Sequence, residues 1–265
     1  MSSITIETLR QRLDSFVADE PQRSRTKDFW KSPILASAPA DERFAVLPEI
    51  AMDEHLLPRD LLATARSVIV FFIPFQNWLV KENKPGDRPC RNWGMAYVQT
   101  NDLIERACQD LSDLLEKAGH RSELTPATHN FDEKILMARW SHKHLGHLAG
   151  LGRFGTHCML VTPKGCCGRF GSLVTEAKLG DHPLITTQEA CLLKAGKKCG
   201  KCMEKCPVGA LQEDAFDRHK CWDRLNDNFN TLNYFSDLPG TTDVCGKCAA
   251  MVPCSFANPV NPNRP

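Results

Sequence analysis

Four cysteines fall within sixteen residues in CLLKAGKKCGKCMEKCPVGAL, at 191–211, and four more follow before Pro265. A tail this short, with few large apolar side chains, buries too little surface to fold on hydrophobicity alone, so something else must hold it. The other five of the thirteen cysteines, Cys90, Cys108, Cys158, Cys166 and Cys167, are scattered through the first 185 residues. That change in density sets a boundary near GDHPLITTQEA, giving an expected first domain at 1–185 and a second at 186–265.

The N-terminus, MSSITIETLRQRLDSF, is charged and amphipathic and has no signal-peptide core, and no apolar run reaches ~18 residues. The expectation is a cytoplasmic chain that does not enter a membrane. In a reducing compartment, clustered cysteines favour metal over disulfides. Cys199-x2-Cys202-x3-Cys206-Pro207 reproduces the second half of the bacterial cubane pattern, whose last cysteine serves the other cluster of a two-cluster domain. Where the first cysteine would stand there is Gly196, and Cys191 is its natural replacement. A second set has the same form: Cys221, a long loop, then Cys245-x2-Cys248-x5-Cys254. Cross-ligation then assigns Cys191, Cys199, Cys202 and Cys254 to one [4Fe–4S] cluster. Cys206, Cys221, Cys245 and Cys248 go to the other. Zinc in two four-thiolate sites is the competing reading; Cys-Pro followed by the small turn VGAL is a feature a zinc ribbon does not need.

Ahead of the cysteines, Ile4, Leu9, Leu13 and Phe16 follow helical spacing, and residues 21–57 read as irregular. PRDLLATARS opens a short helix on Pro58. SVIVFFIPF, at 67–75, reads as a buried strand. Residues 98–118 read as a helix capped at Thr100 or Asn101 and ended by Gly119, and 131–148 as another. HCMLVTP at 157–163 and GSLVTEAKL at 171–179 read as strands. Long helices over few strands predict an α+β sandwich. Cys108 and Cys158 fall in apolar patterns and read as core; Cys166-Cys167, between glycines, are candidates for reactivity.

The order SVIVFFIPF, AGLGRFG at 149–155, RFGSLVTE at 169–176 and the Cys199–Pro207 run resembles epoxyqueuosine reductases and, more distantly, the core of reductive dehalogenases. The resemblance covers roughly residues 60–255 and marks a compact, divergent branch. It implies a nitroreductase-like α+β domain that binds cobalamin, followed by a ferredoxin-like domain with two [4Fe–4S] clusters. The implied activity is an iron–sulfur oxidoreductase that passes electrons to the corrinoid or to a small-molecule substrate. Its electron donor would be of the ferredoxin or flavodoxin type. An electron-transfer protein without its own substrate and a tRNA epoxyqueuosine reductase are the alternatives. Epoxyqueuosine reductases carry a C-terminal helical-repeat extension that helps hold tRNA, and nothing corresponding precedes Pro265. With a net charge of +1, this argues against nucleic acid as a partner.

The family's proton-donating aspartate lies about thirteen residues before AGLG; Leu136 and Met137 stand there here, with Asp132 and Glu133 out of register. Trp140, His144 and His147, spaced i, i+4, i+7, would share one helical face, with His142 roughly opposite. His144, and after it His142, are the candidates for proton transfer. Trp140, His147, Gly150, Gly152, Arg153, Phe154 and Gly155 are the candidates for cofactor binding, and histidines serving only the fold are the alternative.

Overall fold

The structure is a computed structural model that describes residues 4–185 and 188–262. In chain order it begins with α1 (Ile6–Ala18), α2 (Glu20–Arg23), β1 (Ile34–Pro39), α3 (Leu47–Ile50), α4 (Pro58–Leu61) and β2 (Ser67–Pro74). Next come α5 (Asn77–Glu82), α6 (Arg91–Lys117), β3 (Ser122–Leu124), β4 (Phe131–Asp132), β5 (Met137–Ala138) and α7 (His142–Leu148). The remainder is β6 (Arg153–Phe154), β7 (Leu160–Val161), β8 (Gly168–Thr175), α8 (Lys201–Glu204) and α9 (Arg218–Thr231). The architecture is a mixture of helix and sheet. Two compact units are distinguished. The first comprises 1–73, 102–151 and 168–186, and the second 74–101, 152–167 and 187–265.

The first unit is built on a four-stranded sheet in the order β1-β2-β8-β3. β2 is buried at every position, which is why it reads as an uninterrupted apolar run rather than an alternation. β1 lies at the edge and pairs antiparallel with β2 from Ile34↔Phe72 to Pro39↔Ser67. It falls inside the stretch expected to be irregular. Its ILASAP sequence has weak strand propensity, and pairing with β2 imposes the conformation. Pro39, which cannot donate to a ladder, is tolerated at the end of an edge strand. Gly171 of β8 lets the β2 aromatics close in: a Cβ there would sit 2.3 Å from the Phe71 ring.

α1 lies against β1. Its N-cap, Thr5, accepts a hydrogen bond from Thr8 N–H at 3.2 Å. The buried stripe is Ile6, Leu9, Leu13 and Val17, so Ile4 and Phe16 of the expected face are replaced by neighbours. Just beyond α1, Glu20 is 1% exposed. Arg106, Arg23 and Ser24 satisfy its carboxylate. Burial works against its charge, but these hydrogen bonds win and hold its pKa below the usual value.

Three helices differ from expectation. α4 stops after Leu61, because Leu62 turns extended. α6 starts at Arg91, so Thr100 and Asn101 are interior, with the Thr100 hydroxyl donating to Ala96 C=O. The third difference is at 131–148, where a hairpin and a short helix replace one long helix. Asp132 Oδ1 accepts from Lys134 N–H at 2.8 Å and Ile135 N–H at 3.1 Å, a local competitor of helix. Leu136 turns to φ +55 and β4 pairs with β5.

The second unit is also tied together by buried polar groups. Asn83 is fully buried; its Oδ1 accepts from Cys90 N–H at 2.9 Å and its Nδ2 donates to Cys245 C=O at 3.0 Å. Lys247, 3% exposed, donates to Asn83 C=O at 2.7 Å and Pro85 C=O at 2.8 Å. Asn228 on α9 donates to Val244 C=O at 2.8 Å. Together these fix the Cys245–Cys248 loop from three directions. The expected strand at 157–163 is reduced to β7, because the chain turns on both sides of it: at 155–159 and at Thr162–Gly165.

Candidate functional site

Four of the eight tail cysteines share one site, and the other four lie around Cys248. Cys191, Cys199, Cys202 and Cys254 line one small cavity, with Thr156, His157, Leu192, Lys201 and three further residues. No carboxylate lines it among the described residues, so its donor set is soft, as thiolate-bound iron or zinc requires. Burial first, then the neighbouring charges of Cys254, Cys191 and Cys199, push the Cys202 thiol up to about 11. Burial and neighbouring cysteines affect Cys248 in this way too. Cys248 is pushed well above its ordinary value by burial, then by Cys245, Cys221, Cys206 and Cys202. A buried thiol that also faces other thiols resists ionisation on both counts, and a bound cation would offset both.

Local geometry explains how the chain delivers these sulfurs. Gly196, where the missing cysteine would stand, has φ +74 and ends the turn that brings Cys191 back over the group. Lys197 N–H donates to Leu192 C=O at 2.8 Å in that turn. After Cys206-Pro207, Gly209 at φ +61 lets Ala210 N–H reach Cys206 Sγ at 3.2 Å. The long x5 spacing before Cys254 is taken up by a tight loop around Ser255. Its hydroxyl bonds Ala249 C=O at 2.6 Å and accepts from Val252 N–H at 2.7 Å. Cys166 N–H then donates to Cys254 C=O at 2.9 Å.

Thus Cys166, one of the paired cysteines, is buried with its sulfur 4.0 Å from Cys254 Sγ. Cys167 is buried and donates to Ala249 C=O at 3.1 Å. Cys108 lies in the core, but Cys158 is half-exposed at φ +59, on a turn rather than in a strand. His157 escaped the sequence reading because HCMLVTP looked like a strand. The signal was the glycine two residues earlier: a Cβ at Gly155 would sit 2.7 Å from the imidazole.

In the first unit, Trp140 precedes α7, so Trp140, His144 and His147 do not form a helical stripe. The residues that converge are Trp140 and His142, on Ser172 of β8. Trp140 Nε1–H donates to Ser172 Oγ at 3.0 Å, and that hydroxyl pairs with His142 Nδ1 at 2.7 Å. His142 Nε2 lies 3.1 Å from Pro126 C=O, which only accepts, so Nε2 carries the ring proton. The hydroxyl therefore donates to Nδ1. Burial holds the His142 pKa down to about 4, so the ring is neutral at physiological pH. His55, which sequence did not single out, accepts from Ser141 N–H at 2.9 Å and stands beside Trp140, with ring centroids 6.0 Å apart. His144 Nδ1 is 2.8 Å from Ser141 Oγ.

A cavity of about 590 Å³ opens beside this network, lined by Thr125, Pro126, His129, Phe131, Asp132, Glu133, Arg139 and Trp140 among others. Of the expected site residues, only Trp140 lines it. The AGLGRFG glycines are covered by the chain itself. A Cβ at Gly150 would lie 2.4 Å from Pro183, and one at Gly152 would lie 2.6 Å from Val161 C=O. Arg153 and Phe154 pair with Val161 and Leu160 in the β6–β7 hairpin.

No protein-family profile matches the chain. It is 26% identical to an epoxyqueuosine reductase of Bacillus anthracis over 181 residues, which cover 64% of this chain and 42% of that protein. A solved epoxyqueuosine reductase with an epoxyqueuosine-modified tRNA-Tyr stem loop is 17% identical with TM-score 0.56. The match covers 94% of this chain and 66% of that one. A catabolic reductive dehalogenase in complex with 3-bromo-4-hydroxybenzoic acid is 16% identical with TM-score 0.56, covering 87% of this chain and 31% of that one. The sequence is similar to that of an epoxyqueuosine reductase, and the fold is like that of solved epoxyqueuosine reductases and of a reductive dehalogenase. It spans about two-fifths of the curated relative's length. The expectation that nucleic acid is no partner finds no support, because one of these neighbours was solved with RNA. Among the described residues, no helix is long and apolar enough to cross a membrane.

Proposed function

We propose that the chain is an iron–sulfur oxidoreductase that holds two [4Fe–4S] clusters and passes electrons to a corrinoid or to a small-molecule substrate. The observation that carries this reading is the cavity lined by Cys191, Cys199, Cys202 and Cys254, drawn from both halves of the tail, with Cys206, Cys221 and Cys245 near Cys248. Cys191, Cys199, Cys202 and Cys254 would hold one cluster, and Cys206, Cys221, Cys245 and Cys248 the other. When bound, the clusters supply one-electron chemistry. The protein's part is to bury the thiolates and fix them by backbone hydrogen bonds. In finer terms, residues 1–185 would carry a nitroreductase-like domain and residues 186–265 a ferredoxin-like one.

The corrinoid rests on the resemblance to epoxyqueuosine reductases and reductive dehalogenases. The 590 Å³ cavity with its acids Asp132 and Glu133 is the candidate for the substrate or the reacting end of the cofactor. His142, neutral and fully engaged, would orient Trp140 at the cavity wall rather than transfer a proton. His144 stays the candidate for proton transfer.

Anaerobic purification with iron, sulfide, cobalt and flavin analysis tests the reading. About eight irons and eight sulfides per chain are expected, with a broad band near ~400 nm that bleaches on reduction. Zinc as the main metal, or about four irons after full reconstitution, would overturn it. A tRNA epoxyqueuosine reductase is the second reading, favoured by the curated relative. Gel-shift with a tRNA-Tyr stem loop, with an unrelated stem loop as control, separates it from a reductase of small molecules.

A further inference from the structure

The tip of the β6–β7 hairpin brings two hydrogen-bond donors to the first cysteine group. Gly155 N–H donates to Met159 C=O at 2.9 Å and Cys158 N–H to Gly155 C=O at 2.9 Å, closing a tight turn with Cys158 in the left-handed region. That turn projects Thr156 and His157, which are 7% and 4% exposed, into the cavity of Cys191, Cys199, Cys202 and Cys254. Thr156 Oγ1 lies 3.6 Å from Cys191 Sγ, and His157 Nε2 lies 3.1 Å from Cys254 Sγ.

The direction of the second bond follows from the first neighbour of the ring. Met159 N–H donates to His157 Nδ1 at 3.2 Å. A backbone N–H only donates, so Nδ1 accepts and the ring N–H is the one at Nε2. The imidazole N–H therefore points at the Cys254 sulfur. A ligating thiolate only accepts, so the Thr156 hydroxyl donates to Cys191. Gly155 makes room for this arrangement, since any larger residue would push the ring off its line.

We propose that Thr156 and His157 set the reduction potential of the cluster held by Cys191, Cys199, Cys202 and Cys254, each by donating a hydrogen bond to one of its sulfurs. This rests on the two-cluster reading above. A donor at a thiolate withdraws charge from sulfur and stabilises the reduced, more negative cluster more than the oxidised one, so it raises the potential. Both donors are buried, so water does not substitute for them when they are removed.

The test is redox titration of anaerobically reconstituted full-length protein, followed by EPR, on wild type, Thr156→Val, Thr156→Ser and His157→Phe. Thr156→Val and His157→Phe should each move one cluster's midpoint to more negative potential and leave the other's in place. Thr156→Ser, which keeps the hydroxyl, should restore the wild-type value. His157→Phe keeps a flat ring over Gly155. Thr156→Val preserves volume and carries the decision if His157→Phe fails to load iron. Iron-loaded variants with both midpoints unchanged overturn this inference alone. Wild-type protein that binds no iron at these four cysteines overturns it together with the two-cluster reading.

Discussion

Substituting Ser172→Ala should destabilise the first unit far more than the loss of one oxygen suggests. Ser172 is completely buried; it accepts from Trp140 Nε1 at 3.0 Å and donates to His142 Nδ1 at 2.7 Å. Alanine fits the strand and leaves almost no void, so the packing cost is small. What remains is an indole N–H, 2% exposed, without an acceptor, and an imidazole nitrogen, in a ring 9% exposed, without a donor. Each orphaned group costs ~1–3 kcal/mol. Because the two share one partner, their costs do not simply add, and ~2–5 kcal/mol is expected for the pair.

Urea unfolding followed by circular dichroism measures this as a lower midpoint at unchanged slope. The same network predicts a pH dependence. The folded pKa of His142 is depressed to about 4, from an ordinary value of 6.5, by burial first. The unfolded chain therefore binds the extra proton first. Stability that is present above about pH 6.5 is lost as pH falls toward about 4, by on the order of 3 kcal/mol. His142→Phe removes that titration and should flatten the slope in this window. A Ser172→Ala midpoint equal to wild type, or an unchanged slope in His142→Phe, would refute the argument that the hydroxyl and a neutral imidazole complete each other.

Cys206→Ala should abolish the cluster of Cys221, Cys245 and Cys248 and spare the other, and Cys254→Ala should do the reverse. Iron content falls by about half in each, and the surviving EPR signal tells them apart. Glu20→Gln should lower stability by ~1–3 kcal/mol, because Arg106 and Arg23 lose a buried charged acceptor; thermal melts at pH 7 measure it. Since the Glu20 pKa is depressed on folding, its contribution is present above the ordinary carboxylate range and lost as pH falls through the folded value, so wild type and variant should converge in acid. His144→Ala should leave iron content and melting temperature in place while weakening cofactor affinity or turnover. A lower melting temperature with unchanged affinity would assign His144 to the fold.

The sequence by itself determined what depends on local spacing and on residue chemistry. β2 was legible because a strand buried along its whole length must be apolar throughout. α1 was legible because one buried stripe at helical spacing stands against a charged face. The two cysteine sets were legible because their residues return at short, repeated spacings. Tertiary structure decided the rest. ILASAP became β1 only because β2 offers a ladder partner, a fact carried by residues some thirty positions away. The expected helix at 131–148 broke at Asp132, whose side chain captures two backbone N–H groups that helical periodicity ignores. The union of Trp140 with His142 needed Ser172, a residue of another strand. The donors at the first cysteine group needed a hairpin to carry Thr156 and His157 to sulfurs 35 and 97 residues further along the chain. Hydrogen bonds of this kind depend on distances that only the folded chain defines, so no pattern of neighbours in sequence announces them.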